Sequence, residues 1–530
     1  MDRRHRFFRK GMIFLVWIIL GVLDFWAAEA AFALTPAQGQ MTPVPKPGGI
    51  LKIAYASDPG SLDVQKEGNL ASFDMASHVL EGLFDYDRNL TPQPMLAKSW
   101  QVSPDRLLYT VRLREGVLFH HYKELTAEDV VASIKRALRV ARTPPQLASY
   151  LEAITAKDKY TVEIRLKEPF PDILYSLTGF IIPKDLAEKY PTATIPDKEL
   201  VGTGPYRVKD RIPDRYVELV RFDRYCARSE PPNGNVGRKY AHVDKILFYI
   251  LPDPAVRLMG VESGEYHYAH AVNHADYPRI VQNPQLQARI IKNFSSLGCM
   301  FNCRVGPMAD IRIRQAAAAA LDAEAVMKAA FIYPQLYYLE CGFIWPDSKE
   351  WYTRAGSAYY NQKNPAKAKR LLREAGYKGE PIIMLGIAEI EYLRNACLVV
   401  ANQLKNVGLN IDLQLVDQST FLSRIVNPGK WHMVTSISLF TPSPTLLPWT
   451  REKDPIAGWE SGRKTRLARL MRQETDPRKR FKAWEEMQQL VYEEAARTKF
   501  GNGVSLAATS RKASGWGEMI GPRFWNVRFN

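Results

Sequence analysis

Cysteine is scarce in this chain, five residues in 530, and the number is odd. A disulfide scaffold is therefore excluded. Cys299 and Cys303 lie four apart in a stretch that reads as extended. At ~3.3 Å per residue their Cα atoms stand roughly 13 Å apart, too far to bond each other. Cys303 with Cys341 is the candidate pair if one exists; free buried thiols are the equal alternative. Catalytic signatures are missing too. No Gly-x-Ser-x-Gly and no His-Glu-x-x-His occurs, so a hydrolase has neither a nucleophile elbow nor a metal set to rest on. No long apolar run follows residue 23, and no long basic run occurs anywhere. The 72 Lys and Arg against 56 Asp and Glu, a formal net charge of +16, are scattered without aromatic interleaving. Nucleic-acid binding is unsupported, and a mild preference for anionic partners is all the charge licenses.

What is present starts with a leader. Arg3, Arg4, Arg6, Arg9 and Lys10 precede an apolar run from Gly11 to Leu23, and Ala31-Phe32-Ala33 follows as a small-x-small site. Residues 1–33 read as a secretory signal, cleaved after Ala33, which sends the chain to the periplasm. Asp24 and Glu29 make the run a poor membrane span. No Cys follows the cleavage site, so a lipid anchor there is not indicated. Removing the leader leaves a charge of about +14, since it holds five basic and three acidic side chains. The remaining ~500 residues suffice for several domains.

The pattern along the rest is mixed α/β. Ile50–Tyr55 is a short apolar strand closed by Ser57-Asp58-Pro59-Gly60. Strands are predicted at 108–113, 161–166, 216–221, 243–250, 382–385 and 410–416, and helices near 72–81, 255–263, 364–375 and 392–407. Thr126, with Glu128 and Asp129 behind it, caps a further helix. Phe301 to Asp322 opens extended, breaks at Gly306-Pro307 and restarts as a helix capped by Asp310. Its buried stripe is Ile313, Ala316, Ala317, Ala320 and Leu321, and Asp322 begins a second helix. His267, His270 and His274 at steps of three and four would share one helix face and bind a metal. Gly264 and Pro278 bracket them, however, and no carboxylate completes the set, so no metal site is assigned. Paired His120-His121 reads as a surface turn. Gly202-Thr203-Gly204-Pro205-Tyr206 lacks the helix and the Lys-Ser/Thr of a phosphate cradle and reads as a tight strand-opening turn. Two amphipathic helices run from 466 to 497, and the aromatic tail (Trp516, Phe524, Trp525, Phe529) is expected to pack back onto the first part of the chain.

Several of these motifs, in this order, carry a resemblance. Phe301-Asn302, Pro307, Asp310, Arg312-x-Arg314-Gln315-Ala316 and Leu321-Asp322, with Gly202-x-Gly204-Pro205-Tyr206 and the series from the helix near 72–81 through Gly82-Leu83-Phe84-Asp85-Tyr86 and Pro94 to Val130, resemble the dipeptide and oligopeptide-binding family of extracellular solute-binding proteins of ABC importers. The resemblance spans nearly the whole mature chain. It implies a two-lobed α/β periplasmic-binding-protein fold of type II, large class, with an extra inserted domain and a cleft between the lobes. The implied division is lobe I at 47–85, 200–294 and 494–530, the insertion at 86–199, and lobe II at 295–493, with crossing segments near 295 and 493. It implies a non-enzymatic monomer that needs no cofactor, captures a solute by lobe closure and delivers it to permease subunits in the inner membrane. A receptor feeding a sensor is the other use of such a fold.

Departures from the family pattern bear on the ligand. In peptide-binding members the strand equivalent to Trp431–Thr441 ends at an aspartate that pairs with the peptide amino terminus. Here that position falls on Phe440 or Thr441, and no acid occurs from Trp431 to Thr450. A buried ammonium without a counter-charge costs several kcal/mol. Tyr55, Trp345, Ser436, Ser438, Phe440 and Thr441 are the expected ligand-binding residues. The expected solute is peptide-like, opine-like or glycan-like, neutral or anionic, with an apolar face; ordinary free-amine peptides are not expected.

Overall fold

The computed structural model describes residues 48–141, 146–439, 441–517 and 521–530. The leader and Phe440 lie outside these. One eleven-stranded sheet runs through the molecule. Ile50–Tyr55 lies parallel to Lys245–Ile250 on one side and to Tyr268–Ala269 on the other, with Tyr206–Ile212 and Tyr216–Arg221 added antiparallel beyond Lys245–Ile250. At the other end Ile382–Ile387 lies parallel to Ile411–Val416 and to Met433–Leu439.

Two long antiparallel strands join these halves. Leu286–Phe301 and Arg497–Ser510 pair from Leu286↔Ser510 to Met300↔Arg497. Thr509 pairs with Tyr268 at one end, and Phe301 with Met433 at the other. At ~3.3 Å per residue a sixteen-residue strand spans roughly 50 Å, long enough to belong to both lobes. The register slips between Ile291 and Ser295 and between Leu297 and Gly298. Such bulges bend a strand locally, and these two fall within the length of the long pair. Gly503 stands on the second long strand because a Cβ there would lie 2.0 Å from the Phe331 ring.

The Phe301–Asp322 stretch forms as expected, with one shift. Asp310 accepts a hydrogen bond from the Arg312 N–H at 2.8 Å and starts the helix Ile311–Ala320. Ile313, Ala316, Ala317 and Leu321 are buried, but Ala320 is only half-buried and Leu321 lies past the helix end. Arg314 is the surprise: it is buried, and its guanidinium donates to the carbonyls of Met308, Ala309 and Glu494. Gln315 donates to the Glu493 carbonyl at 2.7 Å. The Arg-Gln pair thus holds the place where the helix Pro477–Glu493 turns into the second long strand.

A four-stranded antiparallel sheet (Ala97–Val102, Leu108–Leu113, Thr161–Leu166, Leu151–Asp158) with the helix Ala127–Val140 encloses a separate apolar core. His120 docks it onto the Gly202–Tyr206 turn. Its Nδ1 accepts from the Gly202 N–H at 3.2 Å and its Nε2 donates to the Gly204 carbonyl at 3.0 Å. Burial presses this ring's pKa down to about 4, so it stays neutral. Cβ atoms at Gly202 or Gly204 would come within 2.1 and 2.5 Å of the carbonyls of Val79 and His78. The turn is therefore a packing joint. The tail returns as expected: Trp516, Phe524 and Trp525 share a core with Tyr55, Tyr206 and Phe248.

All five cysteines are free. Cys303 and Cys341 both pack at one apolar cluster without bonding. The three histidines turn to different partners. His267 Nδ1 accepts from the Lys52 N–H, His270 stacks on Tyr55, and His274 meets the Val504 carbonyl.

Candidate functional site

The strand Ile50–Tyr55 delivers Tyr55 to the carboxyl end of the parallel pair, where open α/β sheets collect ligands. There a cavity of ≈ 490 Å³ opens. Its floor is a buried network. The Tyr55 hydroxyl donates to Asp74 Oδ2 at 2.6 Å, and Arg523 Nη1, from the carboxyl-terminal tail, donates to Asp74 Oδ1 at 2.9 Å. Asp74 sits on the short helix Leu70–Ala76, which Asn69 caps by accepting the Ser72 N–H at 2.8 Å. Burial pushes the Asp74 carboxyl above its usual range while Arg523 pulls it back. The same burial, reinforced by Asp74, drives the Tyr55 phenol well above its ordinary value. Tyr55 is therefore a neutral donor. Its ring is covered by His270, with centroids 4.1 Å apart and planes 3° from parallel.

Aromatic walls rise from this floor. Phe73 and Phe180 meet at 6.2 Å between ring centroids, and Tyr86 lines the same space. Ile291 and Ser505 come from the two long strands, and Pro442 from the loop after Met433–Leu439. The lining thus joins Tyr55 and His270, from one part of the large sheet, to Pro442, which follows a strand in its other part. Asp85 and Asn235 complete the polar lining.

Of the described residues expected from sequence, only Tyr55 lines this space. Pro442 places the Thr441 neighbourhood at its edge. Ser436 and Ser438 line a different void of ≈ 20 Å³, with Trp449, Phe343, Arg497 and Lys499; that is room for about one water. Trp345 is buried and lines neither space. Phe440 lies outside the described residues. Asp74, Asp85, Asn235, His270 and Arg523 were not anticipated. They come from five separate segments, and only Arg523 lies in a stretch, the aromatic tail, already expected to fold back.

No helix among the described residues is long and apolar enough to cross a membrane. The family described as bacterial extracellular solute-binding proteins, family 5 (middle region), matches residues 91–453. A curated relative, the probable peptide ABC transporter periplasmic-binding protein y4tO of Sinorhizobium fredii, is 28% identical over 479 residues, 85% of this chain and 88% of its own. The oligopeptide-binding protein AppA of Bacillus subtilis is 25% identical over 424 residues, 75% of each chain. Among solved structures, the ABC transporter substrate-binding protein CtaP of Listeria monocytogenes superposes with a TM-score of 0.81 at 21% identity, covering 91% of this chain and 100% of that one. With its two lobes, its crossing strands and a match over more than half its length, the chain belongs to the bacterial extracellular solute-binding proteins of family 5.

Proposed function

We propose that the cavity between Tyr55 and Pro442 is the solute site, and that the chain captures its solute there in the periplasm for delivery to membrane permease subunits. As a family 5 protein the chain is the substrate-binding component of an ABC-type importer. The observation that carries the assignment of the site is position: the cavity opens at the carboxyl ends of parallel strands and beside the bulges of the crossing pair. A volume of ≈ 490 Å³ with aromatic walls suits a small polar solute with an apolar face. Lobe I at 47–85, 200–294 and 494–530, the insertion at 86–199 and lobe II at 295–493 remain the proposed division, and the proposed working unit is a monomer without cofactor.

Gly179 provides the test. It lines the cavity, and a Cβ there would meet nothing within 4 Å. Gly179→Trp should fill the space without a clash. Screening the mature protein by thermal shift against free and acetylated dipeptides, amino acids, opines and short glycans should yield a binder. Gly179→Trp should weaken that binder roughly tenfold or more, a loss of ~1.4 kcal/mol or above, with unchanged melting of the free protein. Unchanged affinity in the variant would place the solute elsewhere.

A further inference from the structure

The charges around the cavity do not balance. Asp74 and Arg523 neutralise each other. Asp85, also in the lining, forms no ion pair among the described residues. Its Oδ1 accepts two hydrogen bonds, from the Tyr86 N–H at 2.8 Å and from Asn235 Nδ2 at 3.1 Å. Its Oδ2 accepts none among the described residues. Asn235 is 6% exposed. Because its amide nitrogen must face the carboxylate, its Oδ1 faces away, and that atom is buried with no partner among the described residues. Two acceptors, one of them carrying a full negative charge, therefore stand beside one another in the lining of an aromatic-walled cavity. A buried acceptor left unpaired costs about 1–3 kcal/mol, and a carboxylate is best satisfied by a charged N–H donor. Phe73, Tyr86 and Phe180 add ring faces that attract cations.

We infer that Asp85 and Asn235 form the subsite for the cationic end, an ammonium or guanidinium, of the transported solute. This rests on the cavity being the solute site. It departs from the neutral or anionic solute expected from the sequence, because that expectation considered acids only between Trp431 and Thr450. The acid stands on the first lobe instead. Asp85 would bond the N–H groups through Oδ2, Asn235 would accept another through Oδ1, and the apolar part of the solute would lie against Phe73 and Phe180.

Matched probes test it by calorimetry on the mature protein: free-amine dipeptides against their N-acetyl forms, and arginine against citrulline. At least one charged probe should bind. Its neutral counterpart should bind roughly 30-fold more weakly or worse, the loss expected when one partner of a buried charge pair is removed. Asp85→Asn, which keeps the Oδ1 contacts, should produce a similar loss; a dipeptide or an arginine binder then tells ammonium from guanidinium. Equal binding of charged and neutral partners overturns the inference, as does failure of every charged probe to bind at millimolar concentration. A charged probe that loses affinity in Gly179→Trp but stays within threefold in Asp85→Asn overturns the subsite while keeping the cavity. A probe indifferent to both variants overturns both. Should Asp85→Asn fail to fold, the matched probes on the unaltered protein still decide.

Discussion

Lys499 shows how a single residue can be set by its surroundings. It lies fully buried on the second crossing strand and donates to the Gly342 carbonyl. Burial brings its pKa down to about 7, with Glu340 opposing. An unfolded lysine titrates near ~10.4, so between about pH 7 and that value the unfolded chain binds the extra proton. Stability then rises with pH across this window and carries the full penalty of a buried charge below it. Denaturant melts at pH 6.5 and pH 9 should show the native protein gaining stability relative to Lys499→Met. Parallel profiles for the two proteins would show that Lys499 keeps an ordinary pKa. The residue scale also marks where sequence reading reached its limit. Asp85 and Asn235 are adjacent in space and 150 positions apart in the chain, so no local pattern pairs them.

Elements distant in the chain meet through a buried pair. Asp172, just before the helix Ile173–Ser176, bonds Arg480 Nη2 of the helix Pro477–Glu493 at 2.6 Å, and both side chains are almost wholly buried. The Thr445 hydroxyl donates to the other Asp172 oxygen. Gln146 donates to the Thr445 carbonyl at 2.8 Å, and the Tyr175 hydroxyl donates to Glu350 at 2.9 Å. The Arg480 guanidinium lies 4.9 Å over Trp351. Everything on one side of these bonds precedes residue 180; everything on the other follows residue 340. Removing one partner of a buried pair costs about 3–5 kcal/mol, and when the lobes part that cost is relieved by water. Arg480→Met should therefore shift the free protein toward an open form and weaken apparent affinity for its solute, with the cavity itself untouched. Scattering on the free proteins should give a larger radius of gyration for the variant. Equal radii would mean that this contact persists in both forms or biases neither.

The whole molecule is two α/β bodies hinged on two strands. A ligand shifts such a system only by the difference in its affinity for the two states. Because Pro442 borders a cavity lined mainly by residues before 292, closure of the proposed lobes would add contact to a bound solute. Small-angle scattering should show the radius of gyration of the native protein falling when a proven binder is added. No change with saturating binder would argue against hinge closure. Gly179→Trp should abolish that response as well.

Elements and their order were open to sequence reading because they depend on nearest neighbours. Asp310, Asp322 and Asp476 cap their helices by bonding backbone two or three residues on. Gly202 and Gly204 announce a tight joint, and the continuous apolar run Ile382–Ile387 and the alternating Ile411–Val416 announce strands. Ser436 and Ser438, two apart on the strand Met433–Leu439, share one face. Which cavity that face meets depends on register. Gly298↔Ser436 and Ser296↔Ser438 set them beside Trp449 and Lys499, away from Tyr55. The sequence by itself determined the α/β elements and the family pattern, since each follows from short-range periodicity, caps and ordered motifs. Only the tertiary structure assembles the candidate cavity, because Tyr55, Asp74, Asp85, Asn235, His270 and Arg523 span more than 460 positions. Their charges, hydrogen bonds and burial exist only once the crossing strands and the returning tail bring them around one space.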